Sequence, residues 1–354
     1  MAEPVDTHLA PAVTTVLPTY RRPRLLRRAA QSATTQAGAR VVLRICDNAS
    51  ADGTGDVAAS LADAGHRVEY ICRPHNVGAT GNYVLGVQGI GTPFFSLLAD
   101  DDYLLPGFYQ KAIEDLDRHP KAMFWVGTTL NVSPSGEVWD ARIERWPRDG
   151  IYQGLKGVLA MTGGLAPNWT GILFRSEVLA RPGFIDPEAG GPADFDCTLR
   201  MAARHPFFVR RVPVAVSTLN PSSFSATQPL QAFWPGWQRM LRNVAGFDGL
   251  TPAERRRLAD ALSRDARRML FRRGIHAMAH GRPDFAQAAA AALREFGGAG
   301  LRAPGLDLVR LACRAPGAQP LFASAYRVLE RRLVASRSSL QSRHGHLLSG
   351  APGD

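Results

Sequence analysis

The first hundred residues alternate between two hydrophobic periods, and few architectures accept that alternation. Residues 13–17 (VTTVL) form a short apolar run, and Leu25, Leu26, Ala29, Ala30 and Ala33 then recur at helical spacing. The same sequence of events repeats. Residues 41–46 (VVLRIC) are followed by helically spaced Ala58, Leu61 and Ala62. Residues 68–72 (VEYIC) are followed by a helix-like stretch over 79–88, and residues 93–98 (PFFSLL) close the series. Runs of about 4–8 apolar residues read as buried strands. Strands that alternate with helices predict an α/β fold with a doubly wound, mostly parallel sheet and right-handed crossovers. In such a sheet every strand-to-helix turn lies on one rim, and ligands bind there.

Each of those turns is polar. The first is Pro18-Thr19-Tyr20-Arg21-Arg22-Pro23, and the second is Asp47-Asn48-Ala49-Ser50-Ala51-Asp52-Gly53-Thr54. The third is Arg73-Pro74-His75-Asn76-Val77-Gly78. The fourth carries three adjacent acids, Asp100, Asp101 and Asp102, before a helix beginning near Pro106. Adjacent carboxylates repel one another, so such a run calls for a cation or donor groups. Oxygen-only ligands suit hard ions such as Mg²⁺ or Mn²⁺, which also hold substrate phosphates. A solvated acidic turn that caps the next helix is the alternative. Asp47 and Asn76 have similar alternatives as a turn former and a helix cap.

Taken in register, PTYRRPRLL, DNASADGT, NVGATGN and ADDDYLLPG resemble the N-terminal half of family 2 glycosyltransferases of the GT-A fold, and the resemblance extends more loosely to Leu219. It implies a nucleotide-diphospho-sugar donor lined by Pro18, Thr19, Tyr20, Arg21, Asp47, Asn76, Gly78 and Asp100. Asp47 would accept the imide N–H of the base, and Gly78 would let the chain pass close to the ligand. Many relatives read Asp-x-Asp-Asp followed after three residues by proline. Here Ala99 stands at the first acid. Counting five back from Pro106 makes Asp101 the metal ligand, with Asp102 beside it. Further on, GGPADFDCTLRMA stands where relatives carry Glu-Asp-x-x-Leu-x-x-Arg. Aligned on Leu199-Arg200, Asp194 is the general base of an inverting transfer, with Ala193 replacing the glutamate and Cys197 the leucine. A register shifted by two would select Asp196. A cap-only role for Asp194 is the alternative.

The implied activity is transfer of a sugar to an acceptor hydroxyl with inversion, assisted by Mg²⁺ or Mn²⁺. A retaining transferase or a sugar nucleotidyltransferase on the same fold is a second reading. A basic, non-enzymatic module that binds membrane or nucleic acid is a third, and it leaves the four aligned turns without a purpose. Residues 123–131 read as a further strand. Trp139, Trp146 and Trp169 fall where the family builds its acceptor side, with Trp169 before the strand 172–174 as the acceptor candidate of the three and core packing as the commoner use. Residues 207–212 read as a late strand, and the polar stretch 217–228 as a lid or a linker.

From residue 229 the texture becomes helical and rich in arginine, with eight arginines between 255 and 273. The chain therefore divides into an N-terminal segment 1–12, a catalytic domain 13–228 (nucleotide half 13–106, acceptor half 107–228), a basic helical domain 229–334 and a frayed tail 335–354. The formal net charge of +11 is carried by arginine, since Lys111, Lys121 and Lys156 are the only lysines. The helical domain has four options: docking on the acceptor side, homodimerisation, contact with an anionic membrane, or a solvated face. Nucleic acid is not expected. Cys46, Cys72, Cys197 and Cys313 are too far apart in sequence for a zinc knuckle or a redox pair and suit a reducing compartment. Without an apolar leader or a run of ~18–20 apolar residues, a cytoplasmic protein is expected, with peripheral contact at the inner face of the membrane as one option.

Overall fold

The computed structural model describes residues 12–219, 229–298, 300–335 and 338–349. The expected segment 1–12, apart from Ala12, and the part of the lid or linker beyond Leu219 fall outside these residues. The four alternating runs form β1 (Ala12–Thr19), β2 (Arg40–Asp47), β3 (Arg67–Cys72) and β4 (Phe94–Leu97), joined by α1 (Pro23–Thr34), α2 (Thr54–Asp63) and α3 (Ala79–Gly86). All three pairings, β1 with β2, β2 with β3 and β1 with β4, are parallel. Helix α1 begins with Pro23 at its first turn, where a missing N–H costs nothing. It buries Leu26, Ala29, Ala30 and Ala33, the stripe read from the sequence.

The second half adds β5 (Tyr103–Leu104), α4 (Phe108–Arg118), β6 (Phe124–Val132), β7 (Val138–Asp140), β8 (Gly150–Tyr152), α5 (Gly154–Ala160), β9 (Ile172–Arg175), α6 (Ala193–Arg204) and β10 (Phe207–Thr218). The ten-stranded sheet runs β3-β2-β1-β4-β9-β6-β10-β5, with β7 on β6 and β8 on β10. Strand β9 lies antiparallel between β4 and β6. That insertion keeps β4 and β6 pointing the same way, so the carboxyl ends of β1, β4 and β6 share a rim. Strand β10 runs twelve residues, past the expected end at 212. Its register against β6 shifts between Val209 and Pro213 and again before Ala215. Proline cannot donate to the ladder, so a bulge accommodates Pro213 and the strand continues.

The C-terminal helices are α7 (Leu230–Asn243), α8 (Pro252–Ala279), α9 (Pro283–Phe296), α10 (Arg302–Ala312), α11 (Ala318–Ala335) and α12 (Ser338–His344). Packing is continuous across residue 229. Met240, Val244, Phe247, Leu250, Leu258 and Leu262 join the same buried cluster as Phe95, Phe124, Phe174 and Leu199 from the sheet and α6. Several arginines of α8 work as staples. Arg255 donates to the carbonyls of Ala245, Phe247 and Leu250, and Arg273 lies over the Phe233 ring at 4.0 Å.

The expected frayed tail, 335–354, needs correction over 338–349, while 336–337 and 350–354 lie outside the described residues. Residues 338–344 form α12, and Gln341 Oε1 accepts the Val138 N–H of β7 at 2.7 Å. Arg343 pairs with Glu144 at 3.1 Å, and His344 Nε2 meets the other Glu144 oxygen at 2.5 Å. Leu340, Leu347 and Leu348 pack on a small core of Tyr103, Leu130, Val138 and Val216. The polar composition hid this docking because three spaced leucines and one glutamine carry it.

Asp115 of α4 ties both ends of the second half together. Only 2% of its side chain is exposed, and it accepts from Trp125 Nε1 at 2.8 Å and Arg210 Nη2 at 2.5 Å. Removing one partner of a buried ion pair costs roughly 3–5 kcal/mol. Asp115→Ala is expected to lose about 3 kcal/mol or more in urea unfolding, and Asp115→Asn less, because the amide oxygen still accepts from the indole. Equal stability of both variants and wild type would remove this residue from the fold's framework.

Candidate active site

The site forms where the sheet reverses its winding, at the carboxyl ends of β1 and β4. Thr19, the last residue of β1, is buried and donates its hydroxyl to Asp100 Oδ2 at 2.8 Å. Arg22 Nη1 reaches Asp100 Oδ1 and Asp101 Oδ2, each at 3.1 Å. Arg28, one and a half turns along α1, donates to the Asp101 carbonyl at 2.8 Å and lies over the Tyr103 ring. Two guanidinium groups thus answer the repulsion within the acid run. Burial works against the Arg22 charge, but Asp100 and Asp101 outweigh it and raise its pKa. Desolvation, then the Asp101 charge, raises Asp100 against the pull of Arg22 and Thr19.

The three acids hold different positions. Asp101 keeps 16% of its side chain exposed. Asp102 was expected beside Asp101 at a metal, and the structure gives it another task. It is buried, with Thr170 Oγ1 donating to Oδ2 at 2.5 Å and the Thr218 N–H donating to Oδ1 at 3.1 Å. It therefore clasps the entry to β9 and the end of β10. Burial first, and the Asp101 charge second, push its pKa up to about 7.

The second and third turns lock onto each other. Asn48 Nδ2 donates to Asn76 Oδ1 at 2.9 Å, and Asn48 Oδ1 accepts the Val77 N–H at 2.9 Å. Asn76 Oδ1 also accepts the Gly78 N–H. Gly78 has φ 78° and ψ 163°, a region open essentially to glycine. Asp47 is buried. Its Oδ1 accepts the Ser50 N–H at 2.9 Å, and its Oδ2 accepts the Tyr70 hydroxyl at 2.7 Å. Arg21, Ala49 and Ala51 are the non-glycine residues with positive φ among those described; Arg21 lies in the first turn and the two alanines in the second. Backbone strain of this kind costs about 1–3 kcal/mol per residue and collects at functional sites. Arg21 turns outward over the exposed Tyr20 ring, while Ser50 Oγ accepts its N–H. Pro18 sits within β1, half-buried opposite Cys46.

The facing wall comes from α3, the entry to β9 and α6. Asp194 lies in the first turn of α6, where Oδ1 accepts the Phe195 N–H at 2.7 Å. Its side chain is open to solvent, yet enough protein surrounds it that desolvation is the largest influence on its pKa. The result is a raised pKa, against the Phe195 bond and the Arg142 charge. Asp196 is fully buried. Arg200 Nε donates to it at 2.8 Å and Asn243 Nδ2 at 2.9 Å, so it anchors α7 to α6 and does not face the cleft. Trp169 is buried and packs edge-on against Tyr83 at 5.2 Å. Desolvation, followed by the charges of Asp102, Asp100, Asp101 and Asp194, raises the Tyr83 pKa well above its ordinary value. Tyr83 thus feels both the acid run and Asp194.

Sequence reasoning passed over Arg22, Arg28, Tyr83 and Thr170. Spacing offered no signal for the first two, since Arg22 precedes α1 and Arg28 lies six residues on, off the same helical face. Tyr83 gave none, because a tyrosine in a short apolar helix reads as core. No group of three or more His, Cys, Asp or Glu side chains is arranged to hold a metal among the described residues. Two cavities, of about 520 and 330 Å³, lie away from the acid run, under α12 and between α6 and α7.

Comparison with known proteins agrees with this geometry. Residues 14–175 match the family model described as Glycosyl transferase family 2. No curated protein matches the sequence. Among solved structures, S. aureus TarS 1–349 superposes with a TM-score of 0.61 at 14% identity, covering 89% of this chain and 91% of that one. The same protein in complex with UDP-GlcNAc gives 0.60 at 14% identity, with the same coverage. The mannosyltransferase PcManGT of Pyrobaculum calidifontis, in complex with GDP-Man and Mn²⁺, gives 0.50 at 16%, covering 94% of this chain and 88% of that one. At such identities the likeness is one of fold. Residues 14–175, which build this rim, thus carry the match to glycosyl transferase family 2, and the fold is of the GT-A type seen in these structures.

Proposed function

We propose that the protein transfers a sugar from a nucleotide-diphospho-sugar to an acceptor hydroxyl with inversion, assisted by a divalent cation. The observation that carries this reading is the placement of Asp194. It is an accessible carboxylate at the start of α6, and its charge reaches Tyr83 together with those of Asp102, Asp100 and Asp101. The neighbours in complex with UDP-GlcNAc and with GDP-Man and Mn²⁺ support the donor class and the cation.

The residues present fit a cation held in part by the donor. Asp100 is committed to Thr19 and Arg22, and Asp102 to Thr170 and Thr218, which leaves Asp101 as the accessible carboxylate. Mg²⁺ and Mn²⁺ sites of this kind use one or two carboxylates together with substrate phosphates. When bound, the cation would offset the charge of the leaving diphosphate. Arg22 pairs with Asp101 Oδ2 and would turn to the diphosphate when the cation takes that oxygen. The nucleoside would lie along the Asp47, Asn48 and Asn76 turns, and Trp169 and Tyr83 would shape the sugar and acceptor side. Asp194 takes the proton of the acceptor hydroxyl as its oxygen attacks the anomeric carbon. One in-line displacement then inverts the configuration.

General-base assistance is worth about 10²–10⁴-fold. Asp194→Asn is expected to lower turnover by that order with donor affinity retained, while Asp196→Asn lowers the melting temperature with turnover largely kept. A base works deprotonated, so wild-type kcat should rise with pH through an inflection above the ordinary aspartate value of about 3.9, because desolvation by the surrounding protein raises Asp194. That limb should vanish in Asp194→Asn. Retention of the donor's anomeric configuration, read by proton NMR, would reject inversion. Asp101→Ala should abolish the effect of Mn²⁺ on nucleoside-diphosphate affinity. Arg22→Gln should bind Mn²⁺ more tightly than wild type without nucleotide, as read by electron paramagnetic resonance. Full activity in EDTA would remove the cation from the mechanism.

A further inference from the structure

Nine large apolar side chains stand exposed among the described residues, and six of them lie between 301 and 329: Leu301, Leu308, Leu311, Leu321, Val328 and Leu329. Their spacing is ordered. Leu301, Leu308 and Leu311 fall on one face of α10 and its lead-in. Leu321, Val328 and Leu329 fall on one face of α11. The other faces of the same helices are also apolar, with Ala303, Leu306 and Ala323 buried and Phe322 packed beside them. A helix apolar on two sides leaves one side without a partner among the described residues. Around these leucines, residues 301–332 carry six arginines and two acids. Asp307, one of the two acids, is taken by Arg294 and Arg310. Arg302, Arg314, Arg327, Arg331 and Arg332 are exposed.

We infer that this face docks on an anionic lipid surface. Leucines of an interfacial helix enter the boundary between headgroups and acyl chains, while flanking arginines reach lipid phosphates. No helix among the described residues is long and apolar enough to cross a membrane, so the contact is peripheral. A second copy fits less well, because a two-fold contact would set the same arginines against each other. Nucleic acid would engage the arginines and leave the leucines in water. The surface lies on α10 and α11, beyond the α8 arginines that first suggested membrane contact, several of which are spent on carbonyls and rings. It is independent of the chemistry proposed for the cleft.

The test is sedimentation of the full chain with vesicles of phosphatidylcholine, with and without phosphatidylglycerol, at low and high salt. Binding is expected with the anionic vesicles alone and should weaken with salt. Leu308→Gln/Leu311→Gln should weaken it roughly tenfold or more. Arg327→Gln/Arg331→Gln should weaken it about fivefold for each charge removed. All four positions are exposed, so melting temperatures should stay at the wild-type value. Failure to pellet with anionic vesicles would overturn the inference, as would pelleting that the leucine variant leaves unchanged. Conversion of a wild-type dimer to a monomer by the leucine variant would overturn it in favour of a contact between copies.

Discussion

Electrostatic repulsion within residues 100–102 is the constraint around which the catalytic half is arranged. Three carboxylates on consecutive residues cannot all be left bare at the end of a buried strand. The structure answers each one separately. Asp100 takes a hydroxyl and a guanidinium, Asp102 takes a hydroxyl and a backbone N–H, and Asp101 shares the same guanidinium but keeps contact with solvent. The donors come from β1, α1, the entry to β9 and the end of β10. Elements far apart in sequence therefore meet at one turn, and that meeting fixes the cleft's floor.

The facing wall is held from behind. Asp196, two residues after Asp194, ties α6 to α7 through Arg200 and Asn243, and Asn243 also reaches Asp186. A carboxylate on the first turn of a helix is only as well placed as the helix, and here the anchor lies within one turn of the group it positions. The arginine-rich C-terminal helices continue the same core, so the catalytic half does not stand free of them.

Much of this was legible in the sequence, because the signals were local. Alternating periods gave β1 to β4 and their parallel order, and four polar turns gave the rim. What stayed hidden depends on partners distant in sequence. Nothing near Asp102 signals that Thr170 and Thr218 will claim it. Asp194 and Asp196 are equivalent acids on paper, and only the depth of the second separates them. Pro213 reads as a strand end, because the bulge that absorbs it is set by pairing with β6. Of the two adjacent arginines at 21 and 22, a positive φ at the first turns it outward and leaves the second facing the acids.

The docking of α12 on β7 couples the far end of the chain to the surroundings of Asp194. Gln341, Arg343 and His344 complete the surroundings of Val138 and Glu144. The short turn holding Glu144 also holds Arg142, whose charge acts on Asp194. Helix α12 therefore bears on the surroundings of the α6 carboxylate through one short turn, although the two lie far apart in sequence.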